Sequence, residues 1–86
     1  MYELYFTDQF KRNYELLTQT EQQAIKRSLK RMKNDLRYQG LRVKKMQGRD
    51  GVWEAMASRD LRITFLLQKP DTLVLRSSGH HDEALR

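Results

Sequence analysis

The stretch from Val52 to Leu85, VWEAMASRDLRITFLLQKPDTLVLRSSGHHDEAL, decides the fold. It reads as three strands, Val52 to Ala57, Leu61 to Leu67 and Thr72 to Ser78, with turn residues at Ser58, Arg59, Asp60 and at Lys69, Pro70, Asp71. Short strands joined by tight turns pair antiparallel, so the stretch predicts a meander. In the middle strand Leu61, Ile63, Phe65 and Leu67 share a face, and the period of two sends Arg62 and Thr64 to the other. If Leu73 and Leu75 point the same way as Ile63, Arg76 joins Arg62 and the second face presents guanidinium groups. The stretch ends in Gly79, His80, His81, Asp82, where both histidines of the chain sit. Histidine, with an unperturbed pKa of about 6.5, exchanges protons readily at neutral pH, so this cluster is a candidate for proton transfer.

Working back toward the N-terminus, Tyr2, Leu4 and Phe6 alternate with Glu3 and Tyr5 as a short strand. Thr7 suits the N-cap of a helix from about Asp8 to Leu17, with Phe10, Tyr14 and Leu17 as its apolar stripe. Thr20 and Gln23 match a capping box, which opens a second helix reaching about Arg37 with the stripe Ile25, Leu29, Met32, Leu36. The two make a hairpin. Gly40 stops it, and Leu41 to Asp50 reads as a basic loop with a short extended piece around Val43. The expected fold is α+β: an antiparallel sheet of about four strands with the helix hairpin on one face. Its core is expected to hold Ile25, Leu29, Met32, Ile63, Phe65 and Leu75, with Phe6, Phe10, Leu36 and Leu67 added.

A chain of 86 residues with no break in composition is expected to form one domain, 1–86. Its N-terminus has no basic region followed by an apolar run, and no stretch approaches the roughly 20 apolar residues of a membrane span, so a cytoplasmic location is expected and no membrane partner. Cysteine is absent, which leaves no disulfides or thiolate ligands; one aspartate beside two adjacent histidines does not make a structural zinc site, and no metal or cofactor is expected. The net charge of +6 is unevenly spread: residues 26–49 hold ten of the seventeen basic residues against a single acid, Asp35. A solvated helix face accounts for part of that band. Its continuation through Gly40 into Arg42, Lys44, Lys45 and Arg49, where no amphipathic pattern requires it, points instead to a phosphate-bearing partner.

The order strand, helix hairpin, basic loop and meander, with VWEAMASRDLRITFLL and the ending LVLRSSGHHDEAL, resembles the RelE/ParE superfamily of bacterial toxins from type II toxin–antitoxin pairs, in its RelE/YafQ-like branch. The resemblance spans nearly the whole chain. It implies a ribosome-dependent endoribonuclease that cuts mRNA in the ribosomal A site and so inhibits translation. It also implies a cognate antitoxin as partner, with operator DNA contacted only through that antitoxin. The ParE-like branch, which shares the fold but binds DNA gyrase, is the alternative, as is an inactive homologue that only binds antitoxin.

Carried over position by position, Arg62 falls where RelE-like toxins stabilise the scissile phosphate, and His81 where the YafQ-like branch has its catalytic histidine. Asp60 matches an aspartate of that branch, and Trp53 a tryptophan of the YoeB-like branch. The paired lysines of RelE would fall at Trp53 and Ala55, the YoeB-like glutamate near Lys44, and the C-terminal tyrosine of RelE just past Arg86, so the chain departs from each recipe. Cleavage of RNA by its own 2′-hydroxyl needs a base, an acid and cations beside the phosphate. Arg62 suits the cation, being permanently charged and able to engage two oxygens. His81 suits proton transfer, with Asp60, Glu54, His80 and Asp82 as candidates for its partner. Lys44, Lys45, Arg49, Arg42 and Arg76 are the candidate RNA-binding residues.

Overall fold

A computed structural model of the chain describes residues 1–80. The elements are β1 (Glu3–Phe6), α1 (Asp8–Glu15), α2 (Gln19–Asn34), a 3₁₀ turn at Gln39–Leu41, β2 (Lys44–Lys45), β3 (Val52–Met56), β4 (Leu61–Gln68) and β5 (Thr72–His80). The α+β class and the helix hairpin stand. The sheet differs in two respects: it has five strands, in the order β1-β5-β4-β3-β2, and it is mixed, because β1 runs parallel to β5. The helices carry the chain from β1 to the far edge of the sheet, and three reversals through β2, β3 and β4 return β5 beside β1 in the same direction. The added strand is Lys44–Lys45, a two-residue piece that pairs with Glu54 and Trp53.

Helix boundaries follow the caps. Thr7 accepts the N–H of Phe10 and donates its hydroxyl to the Leu75 carbonyl at 2.7 Å, so it starts α1 and ties that start to β5. The capping box of α2 is Thr18 with Glu21, two residues earlier than Thr20 with Gln23. Both pairs fit the pattern, but the Glu21 carboxylate also meets the positive end of the helix dipole, which Gln23 cannot do. Capping at Thr18 forces α1 to end by Leu16 rather than Leu17. At the other end Asp35 accepts the Arg37 N–H on its side chain at 3.1 Å, a local turn that stops α2 at Asn34 instead of Arg37.

The helices cover the sheet face that carries Ala55, Ile63, Phe65, Leu73 and Leu75, and Phe10, Ile25, Met32 and Leu41 pack onto it. Burial of a side chain such as Phe65 contributes about 1.5–3 kcal/mol. Leu29, Leu36 and Phe6 are half-buried against this core. Leu67 is 37% exposed: β3 begins at Val52, opposite Leu66, so Leu67 has a strand neighbour only on the β5 side. No helix of the described residues is long and apolar enough to cross a membrane.

Candidate functional site

The sheet face away from the helices is polar at one end, and strand register assembles it. Glu54 sits opposite Lys44 on β2 and Thr64 on β4, while Arg62 sits opposite Met56 and Gly79. On this shared face Glu54 has Lys44 as its direct neighbour and Arg62 as its diagonal one, a separation that long side chains bridge. Lys44 Nζ lies 3.8 Å and Arg62 Nε 3.7 Å from the same Glu54 oxygen, Oε1. Glu54 is 3% exposed, so the carboxylate lies beneath its two cations rather than open to a ligand.

Arg62 is further fixed by the β3–β4 turn. Its Nη1 donates to the carbonyls of Ser58, Arg59 and Leu61 at 2.9–3.1 Å, which leaves Nη2 without a protein partner among the described residues. A guanidinium held on two sides and open on the third is pre-organised to meet an anion. Asp60 belongs to the same turn but is exposed, and the contacts that hold Arg62 come from the turn's carbonyls, not from the Asp60 side chain.

Next to Arg62 along the face, Thr64 and Ser77 share a hydrogen bond, and Arg76 Nη1 donates to Thr64 Oγ1 at 3.1 Å. Arg76 reaches this position through a bulge. Thr64 pairs with Ser77 and Phe65 with Leu75, so Arg76 is an extra residue with no strand partner. Burial, and secondarily the charge of Arg49, push the Arg76 guanidinium below its usual pKa. Arg49, Arg76, Arg62 and Lys44 thus form one cationic field with, among the described residues, a single buried carboxylate, Glu54, beneath it.

The same bulge takes His80 away. Strict alternation from Leu73 and Leu75 puts His80 on the face of Arg62, but the extra residue reverses the phase, and His80 pairs with Leu61 on the helix side. There His80 Nε2 lies 2.8 Å from Glu21 Oε2 at the start of α2. Backbone donation by Thr18 is the main cause that holds the Glu21 carboxyl below its ordinary pKa, with His80 adding to it. His81 and Asp82 lie outside the described residues.

The basic candidates also divide. Lys44 faces Glu54, whereas Lys45, one residue on, sits 5.4 Å from the ring centroid of Trp53 on the other side of β2. Arg42 is exposed, with a left-handed backbone (φ 47°) after the 3₁₀ turn. Sequence reasoning missed the Thr64–Ser77 pair and the stacking of Arg31 on Tyr38, at 4.0 Å from ring centroid to Arg31 Cζ. Neither residue type nor spacing signals the first, which depends on the bulge.

No family model matches the chain, and no curated protein matches it. Solved structures do. The chain superimposes on YafQ from E. coli strain BL21(DE3) with a TM-score of 0.81 at 14% identity, over 100% of both chains. With YafQ in the E. coli DinJ–YafQ toxin–antitoxin complex the TM-score is 0.80 at 14% identity, over 99% of this chain and 98% of that one. With a chain of the intact E. coli RelBE toxin–antitoxin complex it is 0.72 at 17% identity, over 93% and 96%. Likeness at these identities is a likeness of fold, and the fold of this chain is that of the YafQ and RelE structures.

Proposed function

We propose that the chain is the toxin of a type II toxin–antitoxin pair and an endoribonuclease that cuts mRNA on the ribosome, in the cytoplasm. The observation that carries this reading is the Arg62 guanidinium, clamped by Glu54 and by the Ser58, Arg59 and Leu61 carbonyls on a cationic sheet face. In the reaction the 2′-oxygen bonds to phosphorus, the bond from phosphorus to the 5′-oxygen breaks, and a 2′,3′-cyclic phosphate is left. One proton leaves the 2′-hydroxyl and one reaches the departing 5′-oxygen; His81 is assigned to this proton traffic. Arg62 neutralises charge gathering on the phosphate oxygens. Glu54 acts as a positioning residue that aims Arg62, since its own burial keeps it from the substrate. Lys44, Arg49 and Arg76 hold flanking phosphates.

The antitoxin reading is supported by the other end of the open face. Tyr5, Val74, Leu66 and Val52 are register neighbours across four strands, with Tyr5 62% and Leu66 38% exposed. An apolar row beside a cationic field suits an amphipathic acidic segment of a partner protein. Operator DNA is then reached only through that partner.

A second reading, a toxin-fold protein that binds antitoxin without cutting, is favoured by the engagement of Arg62 Nε and Nη1 by Glu54 and the turn carbonyls, which leaves Nη2 alone to meet a phosphate. Primer extension on a defined message, with and without ribosomes, separates the two. A-site cuts are expected; an intact message in both conditions overturns the nuclease reading, and inhibition of DNA supercoiling with intact message favours a gyrase-binding toxin. Co-expression of a small neighbouring gene is expected to relieve growth arrest, and relief by no neighbour counts against the antitoxin.

A further inference from the structure

We propose a second RNA subsite, on the outer side of α2, that receives an unpaired nucleotide flanking the one held at Arg62; it rests on RNA being the ligand of the open face. Its floor is the Tyr38 ring, 41% exposed and stacked under the Arg31 guanidinium. Gly40 makes room for the ring: a Cβ at that position would fall 2.6 Å from Tyr38 Cε2. Arg27 and Arg31 lie one helical turn apart on the same exposed face, a rise of about 6 Å, and Lys30 adds a third cation to the groove they line with Tyr38, against one carboxylate, Asp35, which is engaged by the Arg37 N–H. A planar guanidinium on an exposed aromatic ring, flanked by cations, is the chemistry that stacks an unpaired base and holds its phosphates.

The platform adjoins the first site. The cleft that contains Arg27, Arg31, Tyr38 and Gly40 is closed on the sheet side by Met56 and Ala57, and Met56 is the strand partner of Arg62. A single strand crossing the open face past Arg62 reaches the platform by turning over the end of β3. The α2 cations of the basic band lie on the helix side of the sheet, away from Glu54, so the open-face site leaves them without a role; the platform supplies one to Arg27, Lys30 and Arg31. A single strand, and not a duplex, is the ligand because a paired base cannot stack on the guanidinium that covers the Tyr38 ring.

The test is binding of a short fluorescein-labelled single-stranded 2′-O-methyl RNA, uncleavable because its 2′-oxygen is blocked, to the full chain over a salt series. Removing both cations with Arg27→Ala and Arg31→Ala is expected to lower the slope of log affinity against log salt by about 1 to 1.5, two phosphate contacts on a single strand. Tyr38→Leu is expected to weaken binding about tenfold with the slope unchanged, the loss of a stacked base. Duplex RNA of the same sequence is expected to ignore Tyr38→Leu. No RNA binding by the wild type, wild-type affinity and slope in the variants, or an equal loss on duplex overturns the platform. A wild type that binds with these dependences yet never cuts message refutes the nuclease and leaves the platform standing. A wild type that cuts while all three positions prove silent does the reverse.

Discussion

Arg62 Nε lies 3.7 Å from Glu54 Oε1, diagonally across the β3–β4 pair, and the same guanidinium is pinned by three turn carbonyls on its Nη1. If Arg62 stabilises the reacting phosphate, Arg62→Ala is expected to lower the cleavage rate by about two to four orders of magnitude. Glu54→Gln keeps the shape and weakens the clamp, for an expected loss of about tenfold. Because Glu54 acts through Arg62, the glutamine is expected to add no further loss in an Arg62→Ala background. Independent, multiplying effects in single-turnover cleavage would show that Glu54 has a role of its own.

The histidines are expected to separate. His80 faces α2 and pairs with Glu21, so His80→Ala is expected to leave the chemical step near the wild-type rate. His81→Ala is expected to cost about 10² to 10⁴ and to flatten the pH dependence of that step. Wild-type cleavage by a folded His81→Ala variant would remove His81 from the mechanism and return attention to Asp60.

Lys44 and Lys45 are adjacent in sequence and opposite in environment. Lys45 lies against Trp53 on the side away from the site, so Lys45→Ala is expected to keep the rate at saturation and to leave the salt slope of RNA binding near wild type. Lys44→Ala removes one of two cations from Glu54 and is expected to lower the saturating rate. Indistinguishable kinetics of the two variants would mean that the Glu54 contact of Lys44 has no bearing on the site.

The order of elements and the assignment of Ile63 and Phe65 to one face and Arg62 to the other were legible because period and turn chemistry are local signals. What was not legible depends on pairing. Lys44–Lys45 is a strand only because Glu54 and Trp53 lie beside it. The side on which His80 emerges is set by one extra residue at Arg76, and nothing in LVLRSSGHH marks a bulge there. Glu54 looked like a candidate proton acceptor by residue type; its burial under Lys44 and Arg62 belongs to three strands at once.

Phe65 is fully buried between the sheet and the helix hairpin. Phe65→Ala is expected to destabilise the chain by about 3–5 kcal/mol, a large share of the roughly 5–15 kcal/mol of a small domain. Leu67→Ala, two residues on but 37% exposed, is expected to cost about 1 kcal/mol or less. Denaturant midpoints of the two variants decide it, and equal losses would mean that the covered region of β4 extends to its hairpin end.

Glu21 joins the capping box of α2 to the end of β5: its Oε1 accepts the Thr18 N–H at 2.9 Å and its Oε2 meets His80 Nε2 at 2.8 Å. Backbone donation by Thr18, then the Thr18 hydroxyl contact and the His80 charge, hold the carboxyl below its ordinary pKa against the opposing effect of desolvation. A carboxyl depressed on folding binds protons more weakly in the folded chain than in the unfolded one. Its contribution to stability is therefore fully present above the unfolded carboxylate range and is lost as the pH falls through the folded value. Glu21→Gln preserves an acceptor for the Thr18 N–H, since glutamine also serves in a capping box, but carries no charge to titrate. The Tm difference between wild type and Glu21→Gln is expected to be largest near neutral pH, to shrink on acidification and to vanish once the wild-type carboxyl is protonated. A Tm difference that stays constant from neutral to acid pH would show that Glu21 contributes through shape and hydrogen bonding alone.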